Sequence, residues 1–532
     1  MFKKIFSILI AIVILATCFS GCKKEDTANK AFYCAVAELP AHFDPQIAET
    51  ASEKMVALNI FDGLFKLDEN NEPQKCAVSD YTISEDGLVY TFTLRNDLAF
   101  CISEDAKDFI EEKGGEIDPK ITAEDFAFGI TRAVLPETQS PYFALLSTIK
   151  NANAIHNGTM SAQSLGVRVV DSYTLEITLE KATPDFLYAL SQPVSFPCDK
   201  AFFELTGGRY GLSEEYIISN GGFYLSAITT EKNVRIRKNE EYKGAFPAIP
   251  ASVGFYLNKN EVDIAKKVDD KTYDFGFFVS ESAIDELGRS IVKTELQNIN
   301  CALVFNMKKD AIKNTQLRTG LITCIDMNAV TESPLKSVVP AYYQVNGKAI
   351  ESTTVEGLSY NIDSARNNMV NAFKELKIET LTVELLCKPE NEELAKSIIS
   401  HWQKNIGVEL NGTLVVADGD EFTKKLNSGE YDAVICSLST DSINAVEYLS
   451  LFTSDDKSNL WGYSSEEYDR IVTDLKDAPT NEKAVYAQSY LLKNAVLLPL
   501  YAENTVFALG KNVSGIYFAG DSSNVYFYKG QK

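Results

Sequence analysis

LTVELLCKPENEELAKSIISHWQKNIGVELNGTLVVADGDEFTKKLNSGEYDAVICSL, residues 381–438, switches repeatedly between two periodicities. LTVELL (381–386) predicts a strand, ENEELAKSIISHWQKN (390–405) a helix and VELNGTLVV (408–416) a second strand. DEFTKKLNS (420–428) predicts a short helix and YDAVICSL (431–438) a continuous apolar strand. A strand without polar alternation is covered on both faces. The β-α-β-α-β order needs crossovers that lay helices on a parallel or mixed sheet. The fold class is therefore α/β. A further helix is expected at SSEEYDRIVTDL (464–475). Ser464 and Glu467 would form its capping box, and Tyr468, Ile471, Val472 and Leu475 its buried stripe.

Upstream the texture differs. YTLEITLEK (173–181) alternates strictly, with Tyr173, Leu175, Ile177 and Leu179 on one face, so it predicts a half-buried strand. Phe92 and Leu94 in TFTLRND (91–97) do the same. ITAEDFAFGITRAV (121–134) predicts a helix that Thr122 caps with Asp125, burying Phe126, Ile130 and Val134. GGFYLSAITTEKNVRIRKN (221–239) reads as two strands joined by a polar turn around Thr230–Asn233.

The N-terminus carries an address. Lys3 and Lys4 precede an apolar run, Ile5–Ala16, too short to span a bilayer comfortably. Ser20-Gly21 then stand directly before Cys22. This arrangement resembles the bacterial lipobox, with Phe19 where Leu is usual, and it implies lipidation of Cys22. An ordinary secretory leader or an uncleaved anchor are the other readings. The expected boundaries are a signal peptide over 1–21 and a tether over 22–30. Cleavage leaves 511 residues and, with Lys3 and Lys4 gone, moves the formal charge from −23 to −25. So acidic a chain repels phosphate backbones, which excludes nucleic acid as a partner. A hydrophobic fraction of 45% argues against disorder.

Catalytic and metal patterns are missing. Neither G-x-S-x-G, H-E-x-x-H, a P-loop nor G-x-G-x-x-G occurs. S-x-x-K, the nucleophile pair of penicillin-recognising serine acyltransferases, occurs at Ser147/Lys150, Ser290/Lys293, Ser333/Lys336 and Ser454/Lys457. It lacks a K-T-G partner. His42, His156 and His401 are isolated, so no metal and no cofactor are expected. The eight cysteines beyond Cys22 sit mostly in apolar runs and read as buried thiols, with one or two disulfides left open. Asp418-Gly-Asp-Glu421 reads as a solvated helix start. Trp402 and Trp461 read as packing residues before cleft aromatics, and Lys424 and Lys425 as a solvated face before a carboxylate site.

Several segments, in order, resemble the extracellular solute-binding proteins of family 5, which include the oligopeptide-binding lipoproteins of ABC importers. They are FDPQIAETASEKMVALNIFDGLFKLDENNEP (43–73), the long stretch from Ile121 to Leu187, ISNGGFYL (218–225), LRTGLITCIDMNAV (317–330) and LLPLY (497–501). Two segments depart from the family. FCISEDAKDFIEEKGGEIDPK (100–120) is a longer acidic insertion, and STDSINAVEYL (439–449) keeps Asp441 and Leu449 but has Ala445 where Pro is usual.

The resemblance implies a type II periplasmic-binding clamp whose three lobes form two ligand-closing domains. Lobe I would join 31–58, 186–290 and 491–532, lobe II would be 59–185 and lobe III 291–490. It also implies a monomer that captures oligopeptides outside the membrane and delivers them to an ABC permease. Asp441 would pair with the peptide α-ammonium, and Leu438, Ser439 and Asn220 are further candidate ligand positions. The physical reading agrees on the place, since Asp441 follows the carboxyl end of a buried strand, where ligands of open α/β sheets dock. The other reading of Asp441 is an N-cap for a helix over 442–451. Another small solute, a sugar or a metal chelate, is the alternative ligand.

Overall fold

The structure is a computed structural model that describes residues 30–183, 186–229, 233–345, 348–350, 355–440, 444–520 and 524–532, without the side chains of Glu281 and Asn504. The chain forms two compact units. The first comprises residues up to Gly276, Ser280–Val292 and Ala508–Lys532, and the second Phe277–Val279 and Lys293–Phe507.

In the first unit β1 (Ala31–Val36) pairs in parallel with the strand Ser252–Leu257, which pairs antiparallel with Asn233–Lys238, itself antiparallel to Phe223–Thr229. The last pair is the predicted hairpin; residues 230–232 of its turn lie outside the described residues. A four-stranded antiparallel sheet holds Val78–Ile83, Val89–Leu94, Thr174–Thr178 and Val167–Asp171, in that order. Leu175 and Ile177 are buried and flanked by half-buried Thr174, Glu176 and Thr178, as the alternation requires.

The helix Ala123–Val134 carries the expected capping box. Thr122 accepts from the Glu124 N–H and Asp125 accepts from the Thr122 N–H at 2.7 Å. The acidic insertion folds into the helix Glu104–Glu112, capped by Ser103, with only Ala106, Phe109 and Ile110 buried.

Two buried ion pairs organise this unit. Arg132 holds Asp44 at 2.6 Å and Gln46 at 2.6 Å, with its guanidinium 4.1 Å from the Phe203 ring centroid. Lys66 holds Asp62 at 2.7 Å among the rings of Phe246, Tyr526 and Tyr528. Asn59 ties the start of the unit to its last segment: Nδ2 donates to the Val525 carbonyl at 2.7 Å, and Oδ1 accepts from the Phe527 N–H at 2.9 Å.

The second unit contains the stretch that set the class. Its strands are β2 (Val292–Phe305), β3 (Leu381–Cys387), β4 (Leu410–Val416), β5 (Ala433–Leu438) and β6 (Leu497–Leu509), in the sheet order β4-β3-β5-β2-β6. β3 pairs in parallel with β4 and β5, and β5 pairs antiparallel with β2. The helices Glu392–Ile406 and Gly419–Ser428 are the two expected crossovers. The mixed sheet follows from the continuous apolar run of β5, which is covered on both faces. Residues 491–507, expected in lobe I, cluster with this unit because β6 hydrogen-bonds beside β2.

Two local expectations change. The helix at 466–477 is capped by Ser465, whose side chain accepts from the Tyr468 N–H at 3.2 Å, while Ser464 accepts a hydrogen bond from Ser454. One residue of slip removes the capping box, because position N3 becomes Tyr468 rather than Glu467. Its buried stripe is unchanged. The eight described cysteines are all free, so the disulfides left open above do not form among them.

Candidate functional site

β3, β4 and β5 run in parallel, so their carboxyl ends share one edge of the second unit's sheet. Such an edge is where open α/β sheets receive ligands. Of the six β5 side chains, only Ser437 is exposed; the rest are buried. The chain then leaves the sheet through Leu438, exposed Ser439 and half-buried Thr440.

This exit is braced. The Tyr343 hydroxyl accepts from the Thr440 N–H at 2.8 Å and lies 3.2 Å from the Thr440 hydroxyl. Its ring meets Tyr448 edge-on at 5.1 Å, and the Tyr448 hydroxyl donates to the Leu438 carbonyl at 3.4 Å. Two buried tyrosines therefore fix the backbone just before residue 441. Both phenols are expensive to bury without partners, and each finds one in this exit segment.

Beside the exit lies a second polar group. Ser437 Oγ donates to Glu503 Oε1 at 2.7 Å, and the Tyr501 hydroxyl lies 3.4 Å from the same oxygen. Tyr501 is anchored by buried Asn391, donating to its Oδ1 at 2.8 Å. Asn391 stands at the N-terminal end of Glu392–Ile406. On the same face, Cys301 lies opposite Ser437 across the β2–β5 pair, and burial pushes its thiol well up. A protonated, enclosed thiol is not a nucleophile.

The predicted site residues divide. Asp441 lies outside the described residues, as does Cys22. The described helix covers Ala445–Ser450 and is capped by Asn444, whose side chain accepts from the Val446 N–H at 2.8 Å. For this helix the cap that the other reading assigned to Asp441 is Asn444. Ser439 is exposed at the edge. Leu438 is only 4% exposed, part of the second unit's core.

Asn220 is buried in the first unit. Its amide donates to the Asp62 carbonyl and accepts from the Asp62 N–H, each at 2.9 Å. It braces the fold there, which explains the Asn-Gly pair: a Cβ on Gly221 would come within 2.7 Å of the Ile60 carbonyl carbon. Trp402 is fully buried and donates to the Leu321 carbonyl at 2.9 Å, and Trp461 stacks on Phe452, so both are packing residues. Asp418 caps its helix through the Gly419 N–H. Lys425 lies 3.8 Å from Glu430.

Tyr343, Asn391, Tyr501 and Glu503 were not singled out from sequence. Tyr501 closes the LLPLY segment, so a signal for it was present. Nothing local marks the other three, which reach the edge from remote parts of the chain. Among the described residues no group of three or more His, Cys, Asp or Glu is placed to hold a metal ion. No helix among them is long and apolar enough to cross a membrane. The Ser147 and Ser454 hydroxyls of the S-x-x-K pairs donate to the Ala144 carbonyl and to Ser464.

Residues 72–459 match the family described as bacterial extracellular solute-binding proteins, family 5 Middle. The chain is 26% identical to the probable deoxycholate-binding periplasmic protein YgiS of Escherichia coli (strain K12), over 92% of this chain and 90% of that protein. It is 22% identical to the dipeptide-binding protein DppE of Bacillus subtilis (strain 168), over 93% and 90%. Listeria monocytogenes OppA, solved bound to peptide, superposes with a TM-score of 0.71 at 22% identity, covering 94% of this chain and 99% of that one. The fold is that of the type II clamp found in periplasmic oligopeptide-binding proteins.

Proposed function

We propose that this chain, which belongs to the bacterial extracellular solute-binding proteins of family 5, captures oligopeptides and delivers them to an ABC permease. The observation that carries this reading is the braced exit from β5. Tyr343 and Tyr448 hold residues 438–440 at the carboxyl edge of a parallel sheet, and the next residue is the acidic Asp441. Asp441 receives the peptide α-ammonium, a charge-assisted contact that is favourable in a closed site when both charges are also hydrogen-bonded. Ser439 contributes main-chain contacts to an extended ligand, a mode indifferent to side chains. Leu438 and Asn220 act as supports. Cys22 carries the lipid that keeps a monomeric receptor on the outer face of the membrane, and the three-lobe clamp closes on its ligand.

Mass spectrometry of small molecules released from the purified, denatured protein tests this. Co-purifying peptides of two to several residues are the expected result; their absence alongside another solute overturns it. A second reading is favoured by the likeness to the probable deoxycholate-binding protein. In it the ligand is an amphipathic acid, and the released molecule is a steroid or similar lipid-derived compound.

A further inference from the structure

Peptide capture as proposed uses main chain and one carboxylate at residue 441. It leaves a second carboxylate at the same sheet edge without a role. Glu503 is half-buried on β6, and one oxygen, Oε1, serves both of its neighbours, Ser437 at 2.7 Å and Tyr501 at 3.4 Å. Among the described residues Oε2 has no hydrogen-bond partner, and no lysine, arginine or histidine stands within ion-pair distance of Glu503. Lys388, directly after the carboxyl end of β3, lies over the Phe422 ring at 5.6 Å and 3.9 Å from Glu390.

Elsewhere another half-buried carboxylate has found a cation: Glu176 has Arg168 at 2.8 Å. A carboxylate drawn partly out of water, oriented by one donated hydroxyl and given no counter-ion is poised to accept one from outside. Its support is rigid, because Tyr501 is itself fixed by buried Asn391 at 2.8 Å.

We infer that Glu503, oriented by the Ser437 hydroxyl and backed by Tyr501, is a subsite for a cationic peptide side chain, that of lysine or arginine. The inference rests on the peptide-binding reading and adds a selectivity to it. Main-chain contacts hold any peptide, and Glu503 ranks peptides by charge at one position. The ammonium or guanidinium reaches Oε2 while Oε1 keeps the Ser437 hydroxyl. The chain's own net charge of −23 favours approach of such ligands.

The test is calorimetry on the full chain with trialanine and the three tripeptides that carry one lysine in place of an alanine. At least one lysine peptide binds the native protein roughly tenfold tighter than trialanine, as a charge-assisted contact predicts. The same peptide with an acetylated N-terminus keeps its advantage over acetylated trialanine, which separates this subsite from the one for the α-ammonium. Glu503→Gln, which keeps an acceptor for Ser437, brings the lysine-to-alanine ratio to about one, and Glu503→Lys reverses it in favour of the matching glutamate peptide. Equal native affinities for all four peptides overturn the inference, as does a ratio unchanged in Glu503→Gln. If none of the four binds the native protein, the peptide reading itself falls and this subsite with it.

Discussion

The Asn220 carboxamide grips the Asp62 backbone at both ends, 2.9 Å in each direction, and the Asp62 side chain holds Lys66 at 2.7 Å. The Tyr242 hydroxyl donates to the other Asp62 oxygen, and Lys66 also donates to the Leu58 carbonyl at 3.2 Å. Burial alone would push the Lys66 ammonium down, but Asp62 outweighs it and raises it. Lys66→Met leaves Asp62 buried with its charge unpaired and is expected to cost about 3–5 kcal/mol, whereas Lys66→Met with Asp62→Leu recovers much of that loss. Denaturant unfolding of the three proteins measures it. Equal stability of the single and double variants would contradict a coupled pair.

At the site, stability and binding separate onto two residues. Asn444→Ala removes the cap of Ala445–Ser450 and is expected to cost about 1 kcal/mol. Asp441→Ala leaves the melting temperature in place and lowers peptide affinity by about two to three orders of magnitude, about 3–4 kcal/mol. N-acetylated peptides lose a similar amount on the native protein and nothing further on the variant. Melts and calorimetry on both variants check this, and equal affinities throughout would remove Asp441 from the site.

The capping box at Thr122 gives a pH dependence of unusual sign. Burial pushes the Asp125 carboxyl up to about 6, against the Thr122 hydrogen bonds that lower it. A carboxyl whose folded value exceeds its unfolded one takes up protons on folding, so stability falls as pH rises from about 4 to about 6. Asp125→Asn keeps an acceptor for the Thr122 N–H and does not titrate. Relative to the native protein it is expected to gain up to about 3 kcal/mol between pH 4 and pH 8. Urea unfolding at those two values tests it, and a pH-independent difference would count against it.

Thiol chemistry reports on both fold and anchor. Burial pushes half-exposed Cys101 up to about 11 and Cys198, Cys324 and Cys436 up to about 12. At pH 8 the native protein therefore reacts with a thiol reagent slowly, and first at Cys101. In guanidinium without reductant, eight thiols react if Cys22 is lipidated, nine if cleavage removes Cys18 but leaves the Cys22 sulfur free, and ten if the leader is uncleaved. A count below eight would mean disulfides.

Much of the second unit could be read from residues 381–438 because both periodicities are local properties of the chain. Strand and helix follow from the unbroken apolar run in YDAVICSL and from the 3.6-residue stripe in ENEELAKSIISHWQKN. The Ser464 to Ser465 slip shows the limit. Both serines can cap, and the choice between them depends on the hydrogen bond that Ser454 makes to Ser464. The candidate edge was legible only as a position, the carboxyl end of a buried strand. Tyr343, Asn391 and Glu503 join it through pairings across 97, 110 and 66 residues, which no local pattern announces. Asn220 was read as a ligand position because its motif is distinctive, yet the motif's constraint is the tight backbone approach at Gly221.

Asn59 also sets an order of events during synthesis and export. Its two partners, at Val525 and Phe527, lie more than 460 residues downstream, so the helix that carries it emerges early and waits. The second unit, whose residues end at Phe507, has all its strands before the closing segment of the first has appeared. Contacts of such separation form slowly, because a long loop must close before they return anything. The portion translated first is therefore the portion completed last, and a chain halted short of Val525 would carry a finished second unit beside an open first one, an exposed target for proteases outside the cell.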